Sequence, residues 1–186
     1  MKPAISKTRS FTTRDLTLIG LMTSVTCILA PIAIPIPISP VPISLGNLAV
    51  FLTIFVLGTR NGLISYLIYF LLGFAGLPVF SGFAGGAEKV LGPTGGYLIG
   101  FFLMAAVTGI FLERSHGKRG FMVIGMILGM LLCNLIGTLW LSFYLSTSFV
   151  SALGIGVLPY LPGDLLKIAA AAMLGPVLRN AVQKIS

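Results

Sequence analysis

The sequence predicts an all-α integral membrane protein with six transmembrane helices, whose outer loops are apolar and rich in proline and glycine. Hydrophobic residues make up 56% of the 186 residues and charged residues only 9%, whereas soluble domains carry about 25% charged residues. Four stretches have no charge, at 16–59, 61–87, 90–112 and 120–163. Each is longer than the roughly 18 apolar residues that indicate a membrane-spanning helix. This pattern excludes a soluble domain.

Proline and glycine divide these stretches into six predicted spans. We place them at 15–33, 45–59, 61–77, 93–112, 121–146 and 157–180. The second span is short, which favours a helix that enters from a re-entrant or buried segment. The chain therefore divides into an N-terminal segment, a six-helix transmembrane domain and a C-terminal tail, at 1–14, 15–180 and 181–186.

The distribution of basic residues predicts the orientation. Ten of the twelve Lys and Arg residues fall on the same side as the N-terminus, and only Lys89 and Lys167 fall on the other side. Because Lys and Arg are concentrated in cytoplasmic loops, both termini are predicted to be cytoplasmic in a multi-pass protein surrounded by membrane lipid. The net charge of +8 thus follows from topology, and we expect no nucleic-acid partner.

The first outer connection, at 31–45, alternates proline with isoleucine. It contains Pro31, Pro35, Pro37, Pro40 and Pro42. Proline fixes φ and has no N–H group, so this stretch cannot be helical. It is also too apolar for a free loop in water. We expect a stiff, extended segment that is folded over the outer face of the bundle.

The other two outer connections are also apolar and rich in glycine, proline and aromatic residues, at 76–92 and before the sixth span. Irregular apolar backbone at membrane depth is tolerated where protein buries it or where it lines a cavity. The three connections together therefore predict a ligand pocket that opens outward.

The strongest candidate site is the pair Asp164 and Lys167 at the outer end of the sixth span. Three residues apart, they lie on one helix face. Each costs roughly 2.5–3.5 kcal/mol at the bilayer centre, so such residues face the interior and have partners. In one interpretation the carboxylate accepts ligand N–H groups and the ammonium donates to a ligand oxygen. In the other, Asp164 caps the helix, and Lys167 pairs with it or extends to the interface.

Further candidate contacts lie near the outer side or within the spans. Ser44 and Asn47 are one turn apart at the start of the second span, where they either cap the helix or hydrogen-bond in an apolar pocket. Tyr97 is either an interfacial aromatic or a wall of the pocket, and Glu88 is either a ligand contact or a charge at its rim. Asn134 is a further candidate contact, and in the middle of a span it is expected to bond across helices.

Small residues spaced four apart predict close helix packing. The pairs are Gly96/Gly100 and Gly125/Gly129, with Gly20/Ser24 as a further example. No cofactor or metal is expected, because the two cysteines and one histidine lack metal-ligand spacing. The sequence also lacks a nucleotide-hydrolysis motif and a catalytic acid–base set, which argues against an enzyme.

Four segments, in order along the chain, carry a family resemblance. They read PVPISL at 40–45, GLPVFSG at 76–82, LGPTGGY at 91–97 and LPYLPGDLLK at 158–167. Together they resemble BioY, the biotin-specific substrate-binding subunit (S component) of energy-coupling factor (ECF) transporters. The resemblance runs from about residue 16 to residue 167, with the same six-span layout.

This resemblance implies a prokaryotic cell-membrane protein that captures biotin from outside. It also implies uptake together with an ECF transmembrane coupling protein and two cytosolic ATPase subunits. Asp164 and Lys167 match the polar binding pair of the family, Phe80 lies in a matching motif, and Gly20 and Ser24 match the motif that packs on the coupling protein. One departure concerns Asn47, which stands beside the position of a common family glutamine. The alternative function is a stand-alone secondary transporter or facilitator for another small ring compound.

Overall fold

The computed structural model describes residues 11–184. Within this range seven helices and two short strands follow one another as α1 (Thr13–Leu29), β1 (Ala33–Ile36), β2 (Ser39–Ser44), α2 (Gly46–Phe74), α3 (Ala87–Leu91), α4 (Gly95–Arg114), α5 (Arg119–Tyr144), α6 (Phe149–Gly156) and α7 (Leu161–Lys184). Most of the predicted N-terminal segment, at 1–10, and the last two residues of the predicted tail lie outside the described residues.

Four helices, α2, α4, α5 and α7, are long and apolar enough to span a membrane. The fold is mostly helical, as predicted, but the count of six membrane-spanning helices is not confirmed. The helix α1 has 17 residues, two predicted spans fall within α2, and the short helices α3 and α6 occupy predicted loops. Two strands also form where the sequence predicts only an extended segment.

The helix α2 is folded back on itself at Gly58, close to the boundary between the two predicted spans. Gly58 has φ +75° and ψ −176°, a conformation that glycine adopts without the strain of a side chain. A Cβ atom built on Gly62 would lie 3.5 Å from the Cα atom of Ile54, although eight residues of continuous helix would separate them by about 12 Å. The two halves of α2 therefore pack side by side.

Contacts with α1 confirm this geometry. Thr23 Oγ1 lies 2.9 Å from Ser65 Oγ in the second half of α2, and Thr26 Oγ1 lies 3.3 Å from Thr53 Oγ1 in the first half. These α1 residues are one turn apart, whereas a straight α2 would separate its two residues by about 18 Å. Both halves of α2 thus face α1.

The proline-rich segment forms an antiparallel hairpin of β1 and β2. Its register pairs Ala33 with Ser44 and Ile36 with Ser39, and an irregularity lies between Ile34 and Ile36. Pro35 occupies this irregularity, where its missing N–H group interrupts no ladder hydrogen bond. The extended conformation predicted from the prolines is confirmed, and strand pairing is an additional feature.

The close helix packing predicted from the glycine pairs is found between α4 and α5. A Cβ atom on Gly100 would lie 3.0 Å from the Cα atom of Cys133, and one on Gly129 would lie 2.8 Å from the carbonyl oxygen of Met104. Because these distances are shorter than van der Waals contact, only glycine permits the two helices to approach this closely.

The start of α1, the turn at Gly58 and the ends of α4 and α7 lie together at one end of the bundle. Arg14 donates to the carbonyl oxygen of Val182 at 2.8 Å, and Thr59 donates to Glu113 through both its N–H and its hydroxyl. The β1–β2 hairpin lies at the other end, where the Gly82 N–H group donates to the carbonyl oxygen of Pro31 at 3.0 Å. The first and last described residues therefore share one end, and the three irregular connections share the opposite one.

Candidate ligand-binding site

A cavity opens at the end of the bundle that carries the hairpin. Its walls come from β2, the start of α2, the first half of α4, the middle of α5 and the start of α7. The empty space of the cavity together with its open mouth is about 680 Å³. Apolar side chains such as Leu98, Phe101 and Met130 form much of the lining.

Asp164 and Lys167 border this cavity and form an ion pair. Lys167 Nζ lies 3.5 Å from Asp164 Oδ1, and their side chains are 12% and 10% exposed. The predicted shared helix face is present, because both residues lie in the first two turns of α7. Burial at such depth requires each charge to have a partner.

The carboxylate of Asp164 reaches across the bundle rather than capping its own helix. Asn47 Nδ2 donates to Asp164 Oδ1 at 2.9 Å, and Asn47 Oδ1 accepts from the Leu48 N–H group at 3.1 Å. Within residues 11–184 neither carboxylate oxygen of Asp164 accepts from a backbone N–H group of α7. No hydrogen bond therefore supports the interpretation that Asp164 caps its own helix. Asn47 thus fixes the orientation of a buried carboxylate from a position 117 residues away in the chain.

Ser44 and Tyr97 also line the cavity while bonding to the protein. Ser44 Oγ accepts from the N–H group of Gly46 at 3.2 Å, so its capping role and its place in the lining coexist. The Tyr97 hydroxyl donates to the carbonyl oxygen of Gly156 at 2.9 Å, which holds the end of α6 against α4. The ring of Tyr97 is thereby held as a wall of the cavity.

Asn134 lines the same cavity, where its amide lies beside the Asp164 carboxylate of α7. Asn134 is only 9% exposed, and its Nδ2 atom has no hydrogen-bond partner of ordinary geometry among residues 11–184. The predicted interaction across helices is therefore a polar contact with α7, and Nδ2 is left without a hydrogen bond of ordinary geometry.

Two predicted contacts, Phe80 and Glu88, lie outside the cavity lining. Phe80 is fully buried, with its ring 5.6 Å from that of Tyr69, because its backbone pairs with Ala84 and turns the side chain into the core. Glu88 is exposed on α3. Its neighbour Lys89 is half-buried, and this desolvation lowers the pKa of the lysine ammonium group.

Tyr160 is a cavity residue that the sequence analysis did not single out. It is 7% exposed, and its hydroxyl donates to the carbonyl oxygen of Val41 in β2. Tyr160 precedes Asp164 by four residues, so helical spacing alone could have placed both on one face. This hydrogen bond joins the hairpin to the start of α7 at the wall of the cavity, which Val41 and Tyr160 both line.

Gly20 and Ser24 lie on the outside of α1, away from the cavity. Both are exposed, a Cβ atom on Gly20 would meet nothing within 4 Å, and Ser24 Oγ donates to the carbonyl oxygen of Gly20 at 3.0 Å. They form a shallow, open strip between the exposed side chains of Leu16 and Ile28.

Comparison with known proteins gives a consistent result. The model of the BioY family matches residues 4–184. The biotin transporter BioY of Thermotoga maritima is 39% identical over 141 residues, which cover 76% of this chain and 82% of the relative. The biotin transporter BioY2 of Lactococcus lactis subsp. cremoris is 38% identical over 168 residues, covering 90% and 91%.

A solved structure also resembles this fold closely. It is the crystal structure of the S-component for biotin from an ECF-type ABC transporter, with a TM-score of 0.85 and 31% sequence identity. The similarity covers 92% of this chain and 95% of that chain.

Proposed function

This chain belongs to the BioY family, and we propose that it is a membrane subunit that binds biotin with high affinity and captures it from outside the cell for vitamin uptake. It is a transport subunit and not an enzyme. The observation that carries the proposal is the largely apolar cavity with one buried carboxylate–ammonium pair on its wall. Biotin combines the same features, since it has an apolar fused ring, N–H and C=O groups on that ring, and a carboxylate tail.

Asp164 accepts ligand N–H groups in this proposal. Its Oδ1 atom already accepts from Asn47 and Lys167, whereas its Oδ2 atom accepts no hydrogen bond from any residue in the described range. A ligand N–H group can therefore bind to Oδ2 without breaking the existing contacts. Lys167 uses one of its three N–H donors on Asp164 and offers another to a ligand oxygen.

Ser44 and Tyr97 complete the contacts that we assign to the ligand. The Ser44 hydroxyl still has its proton to donate, because its oxygen is the acceptor for Gly46. Tyr97 supplies an aromatic face whose position is held by the hydrogen bond to Gly156. Both lie beside a largely apolar lining, where a few polar groups orient a mostly apolar ligand.

In the membrane we place six crossings, made by α1, the two halves of α2, α4, α5 and α7. The fold of α2 at Gly58 supports this count, because it converts one long helix into two that reach the same depth. Arg14, Arg60, Arg114 and Lys118 lie at the end opposite the hairpin, which supports a cytoplasmic location for that end and for both termini. The membrane is the prokaryotic cell membrane, and the cavity faces outward.

Active uptake in this proposal requires an ECF transmembrane coupling protein and two cytosolic ATPase subunits. The relatives are named as transporters and the similar structure as an ECF-type component, which supports such partners. The open strip at Gly20 and Ser24 is the proposed contact with the coupling protein, because small residues allow a partner helix to approach closely.

The test is calorimetric titration of the detergent-purified protein with biotin after co-purified ligand has been removed. We expect saturable binding near one biotin per chain, lost in Asp164→Asn and retained in the matched control Glu88→Gln, which makes the same change on an exposed residue outside the cavity. A folded protein that binds no biotin would refute the substrate. Gradient-driven uptake by the purified protein alone would refute the need for partners and favour the stand-alone transporter.

A further inference from the structure

Asn134 is a buried amide donor without a partner on the wall of the cavity. Among the residues that the structure describes, three buried side-chain atoms lack a hydrogen-bond partner, in Thr108, Asn134 and Thr138. Only Asn134 also lines the cavity. An unsatisfied buried polar group is costly to a protein, so a polar residue that faces a cavity without a protein partner indicates that a ligand supplies the missing acceptor.

The Asp164 carboxylate lies beside Asn134, yet Nδ2 forms no hydrogen bond of ordinary geometry to it. Asn134 lies on the buried face of α5, one turn beyond Met130 and beside Cys133, where an apolar residue would fill the same position without an unpaired N–H group. The second amide of the site behaves differently, because Asn47 Nδ2 donates to Asp164 and its Oδ1 accepts from Leu48. Asn47 is therefore satisfied by the protein, and Asn134 is not.

Asn134 and Asp164 border the same cavity and offer opposite hydrogen-bonding groups. The Asp164 carboxylate accepts only, whereas the free Nδ2 atom of Asn134 donates. A cyclic urea presents an N–H group and a C=O group side by side and so matches an acceptor and a donor on one wall. A cyclic guanidinium presents N–H donors only and so offers no acceptor to the Nδ2 atom of Asn134.

We propose that Asn134 donates from Nδ2 to the carbonyl oxygen of the ureido ring and thereby determines the preference of the site for a urea over a guanidinium. The assignment rests on the proposed binding of biotin. It makes Asn134 a specificity-determining residue, because a site built to bond one polar group discriminates strongly against an analogue that presents the wrong group.

The test compares biotin with 2-iminobiotin, in which the ureido oxygen is replaced by a nitrogen that is protonated at neutral pH. Both dissociation constants are measured by titration for the wild type, Asn134→Asp and Asn134→Ala, with folding checked by thermal unfolding. Asn134→Asp replaces the donor with an acceptor, so we expect the preference for biotin over 2-iminobiotin to fall by about 10- to 100-fold. Asn134→Ala removes the donor, and the preference should fall by about 3- to 10-fold.

The matched control is Thr108→Val, which removes another unpartnered buried atom that does not line the cavity, and it should leave the preference unchanged. An unchanged preference in both folded Asn134 variants would overturn the inference. Unchanged biotin affinity in Asn134→Asp would overturn it as well, because Asn134 would then be accepting from the ligand. Failure of the wild type to bind biotin would instead refute the proposed function, so the two failures are distinguishable.

Discussion

Replacing Lys167 with methionine should destabilise the protein by leaving a buried carboxylate without its counter-charge. Removing one partner of a buried ion pair costs about 3–5 kcal/mol. The Asp164 carboxylate is 10% exposed at its side chain and keeps its hydrogen bond from Asn47 at 2.9 Å, a contact to a charged group that is worth about 1.5–3 kcal/mol. We therefore expect Lys167→Met to lower the free energy of unfolding by about 1–3 kcal/mol.

A second variant separates stability from binding. The double variant Asp164→Asn, Lys167→Met carries no charge at the positions of the ion pair, and the new amide oxygen still accepts from Asn47. Unfolding in mixed detergent without biotin should then give a free energy within about 1 kcal/mol of the wild type, whereas titration should show at least about a tenfold loss of biotin affinity. If the double variant were as unstable as Lys167→Met alone, or if Lys167→Met unfolded like the wild type, the pair would not be energetically coupled.

Three further changes test other parts of the structure. Tyr160→Phe removes the hydrogen bond to Val41, so bound biotin should dissociate about 2- to 10-fold faster in a release assay, and an unchanged rate would mean that this contact does not hold the hairpin over the ligand. Gly58→Ala forces a side chain into φ +75° and ψ −176°, so the free energy of unfolding should fall by about 1–3 kcal/mol. Stability equal to the wild type would show that this backbone conformation is not strained by a side chain. Gly20→Leu fills the exposed strip on α1, so uptake with the ECF partners should fall while biotin binding by the isolated protein persists. Equal loss of uptake and binding would place Gly20 in the fold and not at an interface.

The sequence alone determined the features that depend on local chain properties. Long charge-free stretches predict membrane-spanning helices because the cost of a buried charge acts at each residue. The extended segment at 31–45 follows from the restricted φ of proline, and the shared face of Asp164 and Lys167 follows from helix geometry. The glycine pairs predict points of close helix packing for the same local reason, although they do not say which helices meet there.

Only the tertiary structure decided which side chains meet around the cavity. Asn47 reaches Asp164 across 117 residues, Phe80 turns into the aromatic core, and Asn134 faces the cavity with its amide free. Each outcome depends on how far a helix is rotated about its axis and on how the hairpin closes over the bundle. Those arrangements are set by packing among segments that are distant in the chain, so they cannot be predicted from the composition and residue spacing of any one segment.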